Sequence, residues 1–317
     1  MPPAVIKPPR LAPGQTIGLI SPSGPTGTGG GMTLETIAAA RAKLLKAGFQ
    51  TVLGAHALDV RGYLAGTDAD RASDLHAMFS DPVVHGVLCI RGGYGAMRLL
   101  DRLDYDVIRR HPKVFIGYSD ITALHLAFHR HAGIVTFHGP TTGSLADEDG
   151  HDLTQLLRAV GRAEPLGALA NPDGRPPVET LVPGVGEGVL IGGNAALLSA
   201  LMGTPYVPPF AGTILFLEDI VDSAYRLDRK LVHLRLAGVL AEVAGIVVGE
   251  SRVREEPEGP TLSIRDILDD LIVPLGKPAV YGLACGHGAH HLTLPVGVRA
   301  RLDATRGILS IEEAAVA

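Results

Sequence analysis

Short apolar runs alternate with longer amphipathic segments through the first half of this chain, and this alternation most constrains its fold. The apolar runs lie at Thr16–Ser21, Gly86–Ile90, Val114–Ile116 and Ile134–Phe137. Apolar residues at helical spacing mark the segments Thr33–Ala47, Asp68–Phe79 and Ile121–His131. Strands and helices that alternate with short links predict an α/β fold, whose parallel sheet is covered by helices on both faces.

The helix predicted at Thr33–Ala47 has a candidate buried side and a candidate stop at Gly48. The apolar residues of that side are Leu34, Ile37, Ala38, Leu44 and Leu45. A further helix is expected after Gly95, ending near Leu100.

The pattern weakens between residues 141 and 188, where Asp, Gly and Pro are frequent and only Leu153–Val160 has helical spacing. We therefore predict an N-terminal domain at 1–145, a linker and substrate-loop region at 146–187, and a C-terminal domain at 188–317. Strands are expected in the last domain at Val189–Ile191, Thr213–Leu217 and Val243–Val248. Short strands and turns near the C-terminus predict a mixed sheet in this half.

Composition excludes several classes of partner. The net charge is −5 and no Lys/Arg-rich run occurs, which argues against nucleic acid or an anionic membrane as a partner. No stretch reaches the about 18 apolar residues that a membrane span needs, and the N-terminus lacks a signal-peptide core. Cys89 and Cys285 are expected to be two buried thiols in a reducing compartment. These features predict a cytoplasmic protein.

Ser119 is the candidate nucleophile because it lies at the corner between an apolar strand and an apolar helix. At such a corner, free N–H groups of the helix start favour developing negative charge. The corner resembles a nucleophile elbow, although Ile121 stands where the usual motif has glycine. The alternative is that Ser119 or Asp120 simply caps the helix.

The glycine-rich loop Arg91–Gly95 follows another predicted strand. Glycines let backbone N–H groups approach a ligand, so Gly93 and Asp120 are candidate oxyanion-hole donors. The alternative, a phosphate cradle, lacks the spacing of the known nucleotide-binding loops.

A serine nucleophile needs a base, and His287 is the candidate because it follows an apolar strand. It lies between two glycines, which permit an exposed, sharply turned backbone. His138 also ends a strand and is its rival. Glu218 ends the strand Thr213–Leu217 and is the candidate acid that orients the imidazole, with Asp219 as its rival.

A metal site is the other interpretation of the C-terminal histidines. His287, His290 and His291 form an H-x-x-H-H sequence, to which Glu218 or Asp219 would add a ligand. The glycines around His287 argue against presentation of these ligands by one helix, and no H-E-x-x-H motif is present.

Several motifs occur together in one order along the chain. They are IGLISPSGP at 17–25, RGGYG at 91–95, GYSD at 117–120, HGP at 138–140, IGGN at 191–194, LFLEDI at 215–220 and GHGAHHLTLPVG at 286–297. With these motifs the chain resembles the LD-carboxypeptidase family of serine peptidases, which also includes the microcin C self-immunity proteins.

The resemblance implies a fold and a triad. The family fold has an N-terminal Rossmann-like parallel-sheet domain and a C-terminal mixed α/β domain, with the active site between them. Ser119 would be the nucleophile, Glu218 the acid and His287 the base. Gly93 and Asp120 would supply the oxyanion N–H groups.

The resemblance also implies an activity. The typical family reaction removes the terminal D-alanine from a murein tetrapeptide, at the L-to-D bond of the diamino acid, during cell-wall recycling. It needs no cofactor or metal ion, and homodimers are common. Arg91 is the candidate that binds the free carboxylate of the substrate. The alternative is that Arg91 only pairs with a structural acid. Asn194 in the IGGN motif is a second predicted substrate contact.

Two departures from the family pattern bear on the substrate. The family often has Asn soon after the catalytic His, where this chain has His290 and His291. The microcin-immunity branch typically uses an aromatic-bearing loop to stack a nucleotide, and this chain has no tryptophan. The murein branch is therefore favoured. Three alternatives remain. They are a peptidyl-nucleotide amidase of the microcin type, an amidase or transacylase that acts on another D-amino-acid or acyl-adenylate compound, and a non-catalytic small-molecule binder.

Overall fold

The structure is a computed structural model that describes residues 5–27, 32–146, 151–221, 223–253, 258–288 and 290–317. Residues 1–4 of the predicted N-terminal domain and residues 147–150 of the predicted linker lie outside the described residues. The chain forms two compact units. Unit 1 comprises Met1–Glu164, Thr293–Pro295 and Ala315–Ala317, and unit 2 comprises Pro165–Leu292 and Val296–Ala314.

Unit 1 is built on a six-stranded sheet. Its strands are β1 (Thr16–Ile20), β2 (Gln50–Leu53), β3 (Val84–Cys89), β4 (Val114–Gly117), β5 (Thr136–His138) and β12 (Leu294–Val296). The order across the sheet is β12-β5-β4-β3-β1-β2, and every pairing among β1 to β5 is parallel. The parallel sheet expected from the apolar runs is therefore confirmed.

Six α-helices accompany this sheet in the described part of unit 1. They are α1 (Leu34–Lys46), α2 (Asp68–Ser80), α3 (Tyr105–Arg110), α4 (Thr122–Ala127), α5 (Thr142–Ala146) and α6 (His151–Val160). The helix expected after Gly95 is only a 3₁₀ turn at Ala96–Leu99. The helix predicted over residues 121–131 is divided, because α4 follows the 3₁₀ turn Ser119–Ile121 and continues as the π-helical turn Phe128–Ala132.

The buried side of α1 differs from the predicted one. Ile37, Ala40 and Leu44 are buried, whereas Leu34 and Leu45 are 58% and 57% exposed. Successive residues of a helix point about 100° apart around its axis. In a view along that axis, Ala40 lies to one side of Ile37 and Leu44, whereas Leu34, Ala38 and Leu45 lie to the other side. Apolar spacing located the helix, but the side facing the sheet is set by its packing in the folded unit.

Unit 2 is built on an eight-stranded mixed sheet. Its strands are β6 (Pro165–Leu169), β7 (Glu179–Val182), β8 (Val185–Asn194), β9 (Ile214–Val221), β10 (Gly245–Val253), β11 (Ala279–Leu283), β13 (Arg299–Asp303) and β14 (Ile308–Ala314). The order is β6-β14-β13-β8-β9-β10-β11-β7. The central strands β8 to β11 are parallel, and the flanking pairs are antiparallel. The mixed sheet is as predicted, while β6 and β7 lie in the segment expected to be a linker.

The helices of unit 2 follow its central strands. They are α7 (Ala195–Leu201), α8 (Ala224–Leu236), α9 (Val239–Glu242) and α10 (Ile264–Leu271), with a 3₁₀ turn at Val273–Leu275. Cys89 in unit 1 and Cys285 in unit 2 are buried free thiols, as expected. No helix in the described ranges is long and apolar enough to cross a bilayer.

Candidate active site

Three of the predicted motifs meet at one edge of the unit 1 sheet. The strands β3, β4 and β5 are parallel neighbours, and Arg91, Ser119 and Gly139 lie just beyond their carboxyl ends. Carboxyl ends of parallel strands share one edge, which is where ligands bind in such sheets. The expectation that these motifs gather at one edge is confirmed.

Ser119 has an unusual backbone conformation. Its φ angle is 63°, and no other non-glycine residue in the described ranges has a positive φ. This left-handed conformation is disfavoured by roughly 1–2 kcal/mol for residues with a Cβ, so the surrounding fold must hold it. Gly92 packs against the serine so closely that a Cβ there would lie 3.0 Å from Ser119 Cβ and 3.3 Å from its Oγ. A strained serine at a strand-to-helix corner is typical of a nucleophile elbow.

Helix capping does not account for Ser119 or Asp120. The 3₁₀ turn Ser119–Ile121 and helix α4 both begin without a side-chain capping hydrogen bond. Asp120 instead accepts two hydrogen bonds on Oδ2, from the Ser23 hydroxyl at 2.6 Å and from the Ala96 N–H at 2.8 Å. Burial raises the pKa of the Asp120 carboxyl, and the two hydrogen bonds oppose that rise.

The loop after β3 is braced by a neighbouring loop of unit 1. Arg91 Nη1 donates a hydrogen bond to the Pro25 carbonyl at 3.1 Å. Gly93 has a φ of +124°, and a Cβ on it would lie 3.3 Å from Gly24 Cα. The glycine is therefore required by its backbone conformation and by the close approach of Gly24. The oxyanion role of Gly93 and the carboxylate-reading role of Arg91 stay predictions.

His138, the rival base, is fully buried at the end of β5. Its ring lies 6.1 Å from the Tyr118 ring and 6.3 Å from the His125 ring, between ring centres. His125 Nε2 lies 2.8 Å from the Gly117 carbonyl, and burial lowers the pKa of His125 to about 4. These buried imidazoles form part of the packing beneath the Ser119 turn.

In unit 2, the structure brings His287 and Glu218 together. His287 Nδ1 lies 2.7 Å from Glu218 Oε2, and Glu218 is 1% exposed at β9. A carboxylate only accepts hydrogen bonds, so in a neutral imidazole this contact favours the proton on Nδ1, which leaves Nε2 with the lone pair that a base needs.

Asp219, the rival acid, has different partners. Its Oδ2 lies 2.6 Å from Lys230 Nζ, and its Oδ1 accepts the Ile220 N–H at 2.9 Å. Burial raises the pKa of Asp219, and the charge of Lys230 opposes the rise. Of the two neighbouring carboxylates, Glu218 is therefore the one that contacts the imidazole.

Asn194 lies beside the two carboxylates because β8 and β9 are paired with Asn194 opposite Glu218. Its Nδ2 donates to Glu218 Oε1 at 3.1 Å and to Asp219 Oδ1 at 3.4 Å. Its Oδ1 accepts the Ala196 N–H at 3.1 Å and so caps α7. Asn194 thus holds the carboxyl of Glu218, a contact that sequence spacing did not reveal, and its contact with substrate stays a prediction.

The glycines around His287 serve close packing. Neither Gly286 nor Gly288 has a positive φ, so the expected sharp turn is not their reason. A Cβ on Gly286 would lie 2.5 Å from the Glu250 carbonyl oxygen and 3.0 Å from Glu218 Cβ. A Cβ on Gly288 would overlap the Glu250 carboxylate. Glycines therefore let the His287 loop lie directly on Glu218 and Glu250.

The histidines proposed as metal ligands do not share a ligand cluster. His291 is 2% exposed, and its Nδ1 lies 2.9 Å from the Leu292 carbonyl. Across the described residues, the three potential ligands that meet within 4.8 Å are instead His56, Asp59 and Asp70. Among the residues that the structure describes, the histidines of the H-x-x-H-H sequence therefore do not form a three-ligand group of this kind with Glu218 or Asp219.

Comparison with known proteins finds matches over most of the chain. The family model for the LD-carboxypeptidase N-terminal domain matches residues 17–139, and that for the C-terminal domain matches residues 187–302. The probable murein peptide carboxypeptidase of Bacillus subtilis is 38% identical over 311 residues, covering 96% of this chain and 94% of that protein.

Solved structures are similar over nearly the whole chain. The microcin C7 self-immunity protein MccF in complex with aspartyl sulfamoyl adenosine is 26% identical and has a TM-score of 0.90, with 98% of this chain and 100% of that chain covered. The muramoyltetrapeptide carboxypeptidase of Oxalobacter formigenes is 29% identical and has a TM-score of 0.81, with 94% and 99% covered.

Proposed function

The chain belongs to the LD-carboxypeptidase family and is therefore a peptidase, and we propose that it removes the terminal D-alanine from murein tetrapeptides through an acyl-enzyme on Ser119. Relatives named as murein peptide and muramoyltetrapeptide carboxypeptidases support this substrate. We assign His287 as the base, Glu218 as its orienting acid, and the N–H groups of Gly93 and Asp120 as oxyanion donors.

The observation that carries the proposal is the 2.7 Å contact between His287 Nδ1 and Glu218 Oε2. A buried carboxylate fixes the tautomer of the imidazole and stabilises the imidazolium that forms during catalysis. The left-handed Ser119 turn supports the same assignment from unit 1, because strain of this kind persists at sites that hold a reactive group.

The proposed reaction proceeds in two halves. His287 Nε2 takes the Ser119 proton as Oγ attacks the carbonyl carbon of the diamino acid, and the oxyanion is bound by the two N–H groups. The intermediate collapses as the imidazolium gives its proton to the D-alanine nitrogen, and D-alanine leaves. Water then gives a proton to His287 and attacks the ester, which releases the tripeptide and restores Ser119.

The experiment that tests this assignment is Ser119→Ala, assayed by D-alanine release from a murein tetrapeptide. We expect a loss of at least about a thousandfold in kcat, with an unchanged folded state by circular dichroism. Ser80→Ala, at an exposed position, is the matched control and should retain full activity. Substantial activity of Ser119→Ala, or failure of a serine-directed phosphonate to label Ser119 in the wild type, would refute the assignment.

The likeness to MccF favours a second candidate, a peptidyl-nucleotide amidase that uses the same triad. The sequence has no tryptophan to stack a nucleobase, which favours the murein substrate. Parallel assays of a murein tetrapeptide and a nucleotidyl peptide amide separate the two, because the better substrate has the higher kcat/KM.

Three further features belong to the same proposal. We assign the enzyme to the cytoplasm and to cell-wall recycling, acting on free peptides without a cofactor. We also propose a homodimer, which light scattering coupled to gel filtration would measure directly.

A further inference from the structure

A cavity of about 330 Å³ lies within unit 2, in the size range of small-ligand sites. Arg175, Glu250, Ser251, Tyr281 and Gly288 contribute to its lining. The two charged side chains form an ion pair, Arg175 Nη2 with Glu250 Oε1. Glu179 also lines the cavity, but it pairs with Arg265, which is not among the lining residues. Arg175 and Glu250 are therefore the two lining charges that pair with each other inside the cavity.

The ion pair is only partly satisfied by the protein. The Arg175 and Glu250 side chains are 26% and 17% exposed, so both charges are largely removed from water. Arg175 Nε, Glu250 Oε2 and Ser251 Oγ are shielded from solvent and have no hydrogen-bond partner within the described ranges. Burial and the charge of Glu250 raise the pKa of Tyr281. Such a lining favours a ligand that brings its own charges.

The cavity adjoins the loop of the assigned base. Gly288 follows His287 and lines the cavity, and it packs so closely on Glu250 that a Cβ would overlap the carboxylate. Gly286 packs on the Glu250 carbonyl oxygen. A ligand group held by Glu250 therefore lies beside the residue assigned to protonate the leaving amine.

We propose that this cavity binds an amino-carboxylate group, with the carboxylate on Arg175 and the ammonium on Glu250. The proposal rests on the proposed function, because it assigns that group to the far end of the diamino acid whose carbonyl Ser119 attacks. Arginine binds carboxylates through paired charge-assisted hydrogen bonds, and a carboxylate accepts from an ammonium in the same way. When the substrate binds, the ion pair between Arg175 and Glu250 is replaced by two ion pairs with the substrate, one at each residue.

The internal pair also sets how selective the cavity is. A site discriminates strongly against a substrate that lacks a polar group when the matching group of the protein is then left buried without a partner. Here Arg175 and Glu250 can still pair with each other when the substrate lacks one of its two charges. The selectivity against such a substrate is therefore weaker. A hydrogen bond to a charged group corresponds to about a 10- to 100-fold effect, and we expect a selectivity of that size.

Three tetrapeptides that differ only at the third residue test the assignment. Diaminopimelate carries both charges at its far end, lysine carries only the ammonium, and 2-aminopimelate carries only the carboxylate. The wild type should prefer diaminopimelate over each of the others by about 10- to 100-fold in kcat/KM.

Two variants connect each charge to one residue. Arg175→Gln should lose about 10- to 100-fold on the diaminopimelate peptide and change the lysine peptide less than about threefold. Glu250→Gln should lose as much on the diaminopimelate and lysine peptides, with no loss on the 2-aminopimelate peptide. Arg301→Gln, which breaks an exposed Arg–Glu pair elsewhere in unit 2, is the matched control.

Equal losses on all three peptides would overturn the proposal, because they would mean that the ion pair only supports the His287 loop. Released D-alanine is the other source of an amino-carboxylate group. If D-alanine inhibits the wild type and Arg175→Gln removes that inhibition while leaving peptide preference intact, the cavity holds the leaving group and not the side chain.

A binding measurement separates this proposal from the proposed function. Calorimetry of Ser119→Ala with the uncleaved diaminopimelate and lysine peptides reports the cavity without turnover. Tighter binding of the diaminopimelate peptide, lost in Ser119→Ala/Arg175→Gln, supports the cavity even if catalysis follows another route. Equal affinities for the two peptides would refute the cavity assignment even if Ser119 is the nucleophile.

Discussion

Asp120, directly after the assigned nucleophile, has a carboxyl group that almost no solvent reaches. It is 3% exposed, and its Oδ2 accepts hydrogen bonds from Ser23 and Ala96. Ser23 follows β1, Ala96 follows β3 and Asp120 follows β4, so a single oxygen ties together the loops after three strands. We interpret Asp120 as a positioning residue that holds the Ser119 turn and the Gly93 loop in register.

Asp120→Ala should therefore impair chemistry more than substrate binding. Without the oxygen, the three loops lose their common contact, and a displacement of the nucleophile near 1 Å is enough for about a 100-fold loss in rate. We expect kcat to fall about 10- to 100-fold with KM within about threefold. Asp120→Asn retains an acceptor oxygen and should recover most of the activity. Asp270→Ala, at an exposed site, is the control, and equal loss in Asp120→Ala and Asp120→Asn would contradict the positioning role.

The same carboxyl predicts a pH effect on stability. Burial raises the pKa of Asp120 above its ordinary 3.8 in the folded state. Its contribution to stability is therefore fully present below the unfolded pKa and is lost as pH rises through the folded pKa. Asp120→Asn cannot ionise, so its unfolding free energy relative to wild type should increase from pH about 4 towards about 7. Urea unfolding across that range measures the difference, and parallel curves would contradict the prediction.

Among the elements of the fold, the loop between β11 and β12 shows how packing selects glycine. It carries His287 between Gly286 and Gly288, whose missing side chains leave room for Glu218 and Glu250. From the sequence, these glycines indicated an exposed turn, because glycine in a loop usually reports backbone conformation. Contacts with strands β9 and β10 are the actual reason, and a local pattern does not contain them.

Gly288→Ala should consequently displace His287, the assigned base. Its Cβ would overlap the Glu250 carboxylate, so either the His287 loop or Glu250 must shift. We expect a loss of about 1–3 kcal/mol in the free energy of unfolding and at least about a tenfold loss in kcat. Gly143→Ala is the matched control, since its Cβ would meet the end of the flexible Met32 side chain at 3.0 Å and Thr141 Oγ1 at an ordinary contact distance of 3.7 Å. Normal kinetics of Gly288→Ala would show that the loop has room that the structure does not indicate.

Across the whole molecule, the sequence predicts what depends on local pattern. The central strands are buried on both faces, so they are continuous apolar runs that sequence alone locates. The edge strands β6 and β7 are mostly not buried, and their residues gave no such signal. The site follows the same rule. Strand ends indicated Ser119, Glu218 and His287 as candidates. The contacts of Asp120 with Ser23 and Ala96 span 97 and 24 positions, so no local pattern contains them.

Buried neutral histidines give the molecule a predicted sensitivity to acid. His125 is fully buried, and its Nδ1 has no hydrogen-bond partner in the described part of the chain. Protonation would leave a buried N–H without an acceptor, and burial accordingly lowers the pKa of His125 to about 4. A histidine with a lowered folded pKa contributes stability above its unfolded pKa, and that stability is lost as pH falls from about 6.5 towards about 4.

His125→Gln should make unfolding less dependent on pH, because glutamine retains a donor for the Gly117 carbonyl and does not titrate. Between pH 7 and 5, one such histidine accounts for about 2 kcal/mol of the loss in unfolding free energy. The buried carboxyls have raised pKa values and act in the opposite direction, but they are common to both proteins and cancel in the difference. Urea unfolding of wild type and His125→Gln at the two pH values measures that difference. If both proteins lose the same stability, the acid sensitivity arises elsewhere, for which buried His291, with a pKa lowered to about 3, is the next residue to replace.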